Sequence, residues 1–531
     1  MYQRIGYLFV LLCSAAAIGW AADEAKEQQT PLTLSLRYRE SIDEQSPLAH
    51  TLHRTEQWQP HKTALIICDM WDTHTSHNAV LREKQFAPRL QEVTGKLRDL
   101  GVTIIHAPSG CMDTYAEHPA RQRAINAPQA DSHPKEINAW CYSIPAEEQG
   151  EYPIDQSDGG RDDDPADHER WVETLKKEGK NPNRPWTRQI DVIKIDPKRD
   201  FISDVGSEVW NILQSRRIDQ VMIAGVHTNM CVLGRPFGLR QMARNGKNVV
   251  LIRDLTDTMY NPASKPMVSH FTGTDLIVGH IERYVCPTIT SDQIIGGDPF
   301  RFAEDDRPHI VMLVAEREYK TDQSLAEYAV NPLGKSFRTS FVYADADDKN
   351  DLRGIEVIQQ ADLLMVSVRR RTLKTDAMQL VREYVAAGKP VVGIRTASHA
   401  FHLRDQEAES GYAAWPEFDA EVFGGNYSGH HSNKVNPQIT FAPITHPILA
   451  SIDRTPFESG GSLYKVSPLA KGATVMLTGK LEGAPAEPVA WTFHRDDGGR
   501  SFCTSLGHVK DFDSPQFREL LGNGIRWALD R

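Results

Sequence analysis

Apolar runs alternate with amphipathic stretches between residues 62 and 289. The run KTALIICDM at residues 62–70 is almost entirely apolar, which is typical of a strand covered on both faces. Four more strands are predicted at residues 102–108, 191–195, 220–226 and 248–254. Helices are predicted near residues 86–100, 205–217, 230–245 and 274–284. Strands that alternate with helices predict an α/β domain, an open parallel sheet between two layers of helices.

The same alternation restarts after a linker at residues 301–308. Strands are predicted at 309–315, 340–345, 361–368 and 389–396, helices near 324–330 and 376–387, and one more strand and a terminal helix within residues 500–529. A chain of 531 residues is also too long for one ordinary core. The sequence therefore predicts two open parallel-sheet αβα domains, at residues 48–300 and 309–531.

Residues 109–190 interrupt the pattern of the first domain. The stretch YPIDQSDGGRDDDPADHER is acidic and rich in turn residues, and NPNRPWTRQ has prolines too closely spaced for a helix. Such an insertion is either disordered or a lid over a site. A lid or an oligomer contact is favoured because large aromatic side chains give the segment something to pack. These side chains are Trp140, Tyr142, Tyr152 and Trp186.

The first 22 residues have the three-part pattern of a secretory signal peptide. Arg4 precedes an apolar run at residues 5–18, and the small pair Ala21–Ala22 offers a cleavage site. No later run approaches about 18 apolar residues, so export to the periplasm or the extracellular space, without stable membrane insertion, is predicted. The net charge of −11 argues against a nucleic-acid binder, which needs a basic surface.

Six cysteines follow this leader, none of them in a CxxC pair. In an oxidising compartment one or two disulfides can form. Cys111 and Cys141 are the pair to test first, although their spacing does not decide the pairing.

Three groups with complementary chemistry fall at predicted strand ends of the first domain: Asp69, Lys194 and Cys231. Open parallel sheets bind ligands at this edge. A cysteine at a helix N-terminus is stabilised as the thiolate by the helix dipole and by a nearby cation. A carboxylate within reach can accept the thiol proton and return it to a leaving amine. The set predicts acyl transfer from an amide without a metal.

Each of these residues also has an ordinary structural interpretation. A lone buried cysteine is more often inert than catalytic. Asp69 suits a helix cap and Lys194 a solvated surface. Spacing alone does not separate the two interpretations.

The stretches ALIICDMWD, DVIKI and GVHTNMCVLGRPFGLRQMARNGKNVVLIRD resemble the isochorismatase-like cysteine hydrolase family, over roughly residues 63–288. That family includes nicotinamidases and N-carbamoyl-amide hydrolases. Its G-x-x-T-x-x-C-V turn is matched by Gly225, Thr228, Cys231 and Val232.

The resemblance implies roles for particular residues. Asp69 would be the general base, Lys194 the cation that orients it, and Cys231 the nucleophile. A cis peptide is implied at Val226–His227, with the amides of His227 and Cys231 forming an oxyanion hole.

The chain departs from the family pattern at two places. Trp71 and His74 replace the usual Gln and Phe, so we expect a different substrate pocket, with Thr228 and Arg235 as further lining. The residues after Lys194 lack the usual Ser-Ala-Phe, which makes Lys198 the alternative cation.

A metal site is not predicted. Asp72, His74 and His77 are close in sequence, but the family's metal site follows the second strand, where this chain lacks the Asp-x-His spacing. No cofactor is predicted either.

Residues 309–531 resemble the trehalose-utilisation (ThuA-like) domain through the stretches WPEFDAEVFGGNYSGHHSN, ITHPIL and GRSFCTSLGH. The resemblance implies a flavodoxin- or amidotransferase-like fold without the amidotransferase cysteine. By analogy it suggests a carbohydrate or another small polar ligand. The candidate pocket residues, for which ordinary loop roles are equally compatible, are Arg395, His399, His430, His446 and His508.

Two functions from different classes follow. The first is an exported hydrolase, monomeric or homo-oligomeric, that cleaves a C–N amide-type bond of a small molecule through a Cys231 thioester. The second is a catalytically inactive hydrolase fold whose second domain binds a sugar or another small polar ligand. A weaker third hypothesis places the chemistry near His399.

Overall fold

The computed structural model describes residues 30–43, 46–404, 406–432 and 435–531, so the predicted signal peptide lies outside the described residues. The chain divides into two compact units. The first contains the described residues up to Tyr38, with His53–Lys265 and Gly273–Asp305; the second contains Arg39–Leu52, Pro266–Thr272 and Asp306–Arg531. The second unit therefore includes two short segments that precede residue 300.

The first sheet has eight strands in the order β2-β1-β8-β7-β6-β3-β4-β5. In chain order they are β1 (Leu32–Ser41), β2 (Ala49–Trp58), β3 (Thr63–Cys68), β4 (Thr103–Ala107), β5 (Phe201–Ile202), β6 (Gln220–Val226), β7 (Asn248–Asp257) and β8 (Thr288–Ile289). The strands from β8 to β5 run parallel, whereas β1 runs antiparallel to β8. The parallel α/β core is as predicted, and β1 and β2 extend it.

The strand β3 shows why the apolar runs were informative. All six of its residues are buried, because it lies between β4 and β6 with helices against the sheet. The predicted strand at residues 191–195 is wrong. Those residues form a turn in which the N–H of Ile193 donates to the carbonyl of Ile190, and the next strand is β5.

Of the helices in the first unit, those predicted near residues 86–100, 205–217 and 274–284 are present, the one predicted over 230–245 is changed, and three others were not predicted. In chain order the helices are α1 (His77–Asp99), α2 (Pro119–Ile125), α3 (Pro165–Lys177), α4 (Gly206–Ser215), α5 (Leu239–Arg244), α6 (His270–Tyr284) and α7 (Asp292–Ile295). The helix predicted over 230–245 is divided. One tight turn spans Thr228–Val232, and α5 starts only after Gly238.

The insertion at 109–190 is an ordered segment that carries α2 and α3. Its inward side chains are buried, among them Ile137, Ile144 and Leu175. Glu147 is buried and accepts from the guanidinium of Arg240 at 2.7 Å and from the ring of His280 at 2.9 Å. The insertion is therefore fixed to α5 and α6 by a buried charged contact.

The second sheet has nine strands in the order β10-β9-β11-β13-β21-β20-β19-β16-β17. They are β9 (His309–Ala315), β10 (Arg338–Tyr343), β11 (Leu363–Val368), β13 (Val391–Ile394), β16 (Gln438–Phe441), β17 (Phe457–Glu458), β19 (Thr474–Lys480), β20 (Glu487–His494) and β21 (Arg500–Thr504). Short pairs outside it are β12 (Leu373–Lys374) with β14 (Tyr412–Ala413), and β15 (Gly429–His430) with β18 (Tyr464–Lys465).

The strands β10, β9, β11, β13 and β21 are parallel, and the rest of the second sheet is antiparallel. Helices α8 (Thr321–Val330), α9 (Thr375–Ala386) and α10 (Pro515–Ala528) agree with the predicted ones. The antiparallel extension was not predicted.

Among the described residues, no helix combines the length and apolar character needed to cross a bilayer. The six cysteines of the described chain are free and buried. The expected Cys111–Cys141 disulfide is therefore not formed.

Candidate functional site

The turn after β6 explains the spacing of its motif. Gly225 has φ of 116°, and a Cβ there would lie 2.0 Å from the carbonyl oxygen of Cys68, so only glycine fits this approach of β6 to β3. The Thr228 hydroxyl lies 2.7 Å from that of Thr256 and fixes the turn to β7. Val232 is buried in the core beneath the turn. Together these contacts present Cys231 at the carboxyl edge of the sheet.

The Val226–His227 peptide is cis, as the resemblance implies. Asn229 also fixes the turn. Its side chain accepts from the N–H of Met259 and donates to the Met259 carbonyl, both at 2.9 Å, and it donates to Gln156 of the insertion at 3.0 Å.

Asp69 follows directly on β3 with a left-handed backbone, φ 47°. Non-glycine residues seldom adopt this conformation, which costs about 1–3 kcal/mol and is concentrated at functional sites. The fully buried carboxylate accepts from the N–H of Ser109 at 2.7 Å and from Nε of Arg235 at 3.0 Å. The buried Cys231 thiol lies close enough to this carboxylate for each group to shift the pKa of the other. Asp69 and Cys231 are thus brought together as expected.

Arg235 is the cation beside Asp69. It lies one helical turn after Cys231, to whose carbonyl its N–H donates at 3.0 Å, and its guanidinium lies 5.4 Å from the ring centroid of Trp140. The sequence suggested Arg235 only as pocket lining. Its position four residues after the cysteine is the signal that could have identified it as the ionic partner.

Lys194 and Lys198 are not part of this cluster. Lys194 is exposed, and its ammonium donates to the carbonyl of Asp191 at 2.7 Å. Lys198 is also exposed, and its N–H donates to Asp196. The physical reason is that residues 191–195 form a turn and not a strand, so no strand end carries Lys194 to the site.

Burial dominates the electrostatics of the pair. It raises the pKa of the Asp69 carboxyl above its ordinary range, although Arg235, the neighbouring Cys231 thiol and the hydrogen bond from Ser109 oppose this. Burial, and then the charge of Asp69, raise the pKa of the Cys231 thiol well above its ordinary value. The free site therefore holds a neutral thiol against a carboxyl group.

Aromatic rings form one wall near the site. Trp71 stacks on Trp186 of the insertion with ring centroids 4.4 Å apart, and His74 stacks against both rings at about 6 Å. His227 meets His74 edge-on at 4.8 Å. Trp186 was expected only to give the insertion something to pack against, and the structure places it in this wall.

The two histidines of this wall are neutral. Burial lowers the pKa of His74 to about 4 and that of His227 to about 3. His74 accepts from the N–H of Ser76. Both ring nitrogens of His227 are buried without a hydrogen-bond partner in the structure, as is the Thr73 hydroxyl. The wall therefore offers unused hydrogen-bonding atoms and no charge.

Residues suited to a metal are not grouped in this structure. Asp72 caps the backbone at Thr187, and His77 stacks on Trp171, so they diverge from His74. Within the described part of the chain, no three His, Cys, Asp or Glu side chains are arranged to hold a metal ion.

In the second unit, three of the five predicted pocket residues lie near one another. Arg395 is buried with its guanidinium between the rings of Tyr319 and Tyr464, at 4.4 and 4.3 Å. His399 stacks on Tyr427 at 4.3 Å. The ring of His508 lies 6.1 Å from that of Tyr319.

The other two predicted residues have local roles. His430 is exposed and its Nδ1 contacts the carbonyl of His431. His446 accepts from the N–H of Ile448 at the start of a short helical turn. The backbone of His430 pairs with that of Tyr464 in the β15–β18 ladder, but the exposed His430 side chain makes no hydrogen bond to the described residues around Arg395.

Two family models match separate parts of the chain. Residues 176–272 match the isochorismatase domain, and residues 310–528 match the trehalose-utilisation domain, ThuA. The two matches lie along the chain in the expected order. The comparison with curated proteins gave no match.

Similar solved structures have low identity. A ThuA-like protein from Bacteroides uniformis is 16% identical, with 44% of this chain and 95% of that one covered and a TM-score of 0.32. A cysteine hydrolase from Pseudomonas syringae is 15% identical, with 44% and 92% covered and a TM-score of 0.27. N-carbamoylsarcosine amidase from Thermoplasma acidophilum is 13% identical, with 44% and 97% covered and a TM-score of 0.23.

Proposed function

We propose that the first unit is a cysteine hydrolase that cleaves a C–N amide-type bond of a small molecule. Cys231 is the nucleophile, Asp69 the proton carrier, and Arg235 the residue that positions Asp69. The observation that carries the proposal is the burial of Cys231 and Asp69 beside each other at the carboxyl edge of the sheet, with Arg235 donating to the Asp69 carboxylate at 3.0 Å.

The reaction begins with attack of Cys231 Sγ on the carbonyl carbon of the substrate. Asp69 accepts the thiol proton as the S–C bond forms and passes it to the departing nitrogen as the C–N bond breaks. Water then attacks the thioester, giving one proton to Asp69. The carboxylic acid leaves and the proton returns to sulfur. The amides of His227 and Cys231 are the proposed oxyanion donors.

The raised thiol pKa fits this order of events. A buried neutral thiol beside a carboxylate loses its proton during attack, when negative charge moves onward to the carbonyl oxygen. Arg235 has two effects, since it offsets the charge of Asp69 and holds the carboxylate toward sulfur.

The wall of Trp71, Trp186, His74 and His227 favours an uncharged, flat substrate group. Its rings stack, its histidines are neutral, and His227 offers both nitrogens for hydrogen bonding. A charged substrate would find no counter-ion on this wall.

The test is hydrolysis of a panel of small primary amides and N-carbamoyl compounds by wild type and by Cys231→Ala. We expect the variant to lose at least about a thousandfold in kcat/KM, and mass spectrometry of quenched wild-type reactions to show an acyl group on Cys231. Equal rates for the two proteins would remove Cys231 from the mechanism.

A matched control is Cys68→Ala. Cys68 is also buried, and it ends the strand before Asp69. We expect this variant to retain activity within about tenfold and to lose mainly stability, since it removes core packing.

Export is a second part of the proposal, supported by the pattern at residues 1–22. Expression of the full chain in a bacterium followed by N-terminal sequencing tests it. A mature N-terminus near Ala22 in the periplasmic fraction is the expected result, and an intact Met1 in the cytoplasm would contradict it.

A further inference from the structure

The carboxyl edge of the second sheet carries arginines that the proposed hydrolysis does not use. The run Arg369–Arg371 directly follows β11, and Arg395 directly follows β13. The N–H groups of Arg370 and Arg371 donate to the carbonyls of His399 and Ala400, at 3.2 and 2.8 Å. These bonds tie the two strand ends together and bring their positive charges into one region.

The charge of Arg395 is not paired. Its guanidinium donates to the carbonyls of Ser462 and Ser505 and to the Ser462 hydroxyl, all of them neutral groups. Its Nε is buried without a hydrogen-bond partner, and the residue is 1% exposed. In the described chain no carboxylate forms an ion pair with it.

Arg370 and Arg371 likewise form no ion pair with a carboxylate in the described chain. Arg370 donates to the carbonyl of His402 at 3.0 Å, and Arg371 donates to the carbonyl of Arg369 at 2.8 Å. The buried Nε of Arg371 has no partner. Burial and neighbouring arginines lower the pKa of both side chains.

One arginine of the run is neutralised. Arg369 pairs with Glu318 at 2.7 Å. Arg404 adds a further positive charge, which with the others lowers the pKa of His399 to about 2, after the larger effect of burial. His399 is therefore neutral and adds nothing to the excess of positive charge.

A cleft of about 570 Å³ opens beside these side chains. Positive side chains line it, namely Lys349, Arg369, Arg370, Arg371 and Arg404. The carboxylates in its lining, Glu407 and Glu409, are exposed. Cavities of this size hold metabolite-sized ligands.

Half-buried like charges without counter-ions destabilise a fold unless something neutralises them. Guanidinium groups match the planar or tetrahedral oxygens of carboxylate and phosphate, which accept two parallel hydrogen bonds. We propose that the second unit binds a small molecule through an oxyanion group, a phosphate or a carboxylate, held by Arg370 and Arg404 in the cleft. Arg395 and Arg371 supply positive potential behind it.

This proposal does not depend on the chemistry of Cys231. Isothermal titration calorimetry of the full chain tests it, with inorganic phosphate and citrate as separate probes and sodium chloride at matched ionic strength as the blank. We expect at least one probe to bind with a dissociation constant below about 1 mM. Binding of phosphate alone assigns a phosphate ligand, and binding of citrate alone assigns a carboxylate ligand.

Two variants locate the site. Arg370→Gln removes a half-buried guanidinium group next to Arg371. Arg404→Gln removes an exposed guanidinium group that the fold does not need. Each is expected to weaken binding at least about tenfold, whereas Arg454→Gln, an exposed arginine of the same unit, is expected to leave it unchanged. Cys231→Ala is expected to bind like wild type.

Three results would overturn the proposal: no heat with either probe, the same heat with sodium chloride, or undiminished binding in Arg404→Gln and in a folded Arg370→Gln. Thermal unfolding of each variant shows whether it is folded.

Discussion

In both units a charged side chain directly follows a central parallel strand, but only the one in the first unit has an oppositely charged partner in the part of the chain that the structure describes. In the first unit a carboxylate follows a central parallel strand with φ of 47° at Asp69; in the second an arginine does so, with φ of 49° at Arg395. Asp69 has a cation partner at 3.0 Å and a thiol beside it. Arg395 has only neutral partners.

The difference concerns charge compensation. Near the first edge, arginines are paired with carboxylates: Arg235 with Asp69, Arg82 with Asp162 and Asp257, and Arg240 with Glu147. Near the second edge, Arg370, Arg371 and Arg395 have no carboxylate partner in the described chain. In the first unit the charges are paired, and a proton can move between Cys231 and Asp69. In the second unit these three arginines have no paired carboxylate among the described residues, and in our proposal an external anion supplies the negative charge.

The largest expected effect comes from Asp69→Asn. An amide cannot accept the thiol proton, so we expect kcat/KM of the first unit to fall by about 10²–10⁴. The pKa of Asp69 is raised by burial, so wild-type activity should decline as pH falls through a value above the ordinary carboxyl range. Asp191→Asn, at an exposed carboxylate, is the matched control, and an equal loss in it would discredit the assignment.

Arg235→Gln should have the next largest effect. Without the cation, the pKa of the buried Asp69 rises further, so the acid limb of the rate profile should move to higher pH, and kcat should fall by about 10–100-fold. Arg235→Lys should restore part of the loss. Lys194→Gln and Lys198→Gln should stay within about twofold of wild type, and a large loss in Lys194→Gln would restore the role that the resemblance implied.

The smallest effect concerns a carboxyl in the second unit. Asp419 is buried; one carboxylate oxygen accepts from the N–H of Tyr427 at 2.9 Å and the other has no partner. Burial raises its pKa to about 7. Because the folded pKa lies above the unfolded one, this group costs stability as pH rises from about 4 to 7, by up to about 1.4 kcal/mol per pH unit.

Asp419→Asn should therefore raise Tm by a few degrees at pH 8 and by much less at pH 5, in thermal unfolding followed by circular dichroism. Asp496→Asn, at an exposed position, should show no such difference. A lower Tm at pH 8 in Asp419→Asn would mean that the carboxylate is compensated by a group outside the contacts described above.

Several strands could be predicted because a strand that is buried on both faces is an uninterrupted apolar run. Strands β3 and β9 are buried at every position and were predicted. Strand β1 alternates instead, with Leu34 and Leu36 buried between polar residues. That period of two is a strand signal, and it was missed at the N-terminal edge.

The candidate site was predictable where a residue follows a strand directly, as Asp69 does. Lys194 shows where a local sequence pattern is not sufficient. DVIKI has the composition of a strand, yet the contacts of Ile190 with Met70 and with Ile193 make it a turn. No local pattern records which distant backbone a short segment will pair with, so the cation at Asp69 was misassigned.

The run VSVRRRTL at residues 366–373 was not among the predicted site residues. Its meaning depends on Arg395 and His399, which lie some 25 residues further along the chain and reach it only through the parallel pairing of β11 with β13.

The buried contact of Glu147 with Arg240 and His280 has a consequence for how this protein can diversify. The insertion is secured there, away from the reacting groups, and it supplies Trp140 and Trp186 beside the site but neither Asp69 nor Cys231. Ser109 and Gln156 of the insertion also hold Asp69 and Asn229 in place. The residues of the insertion that make no contact with Asp69 or with the turn around Cys231 can therefore be exchanged to change the substrate pocket without moving the reacting groups.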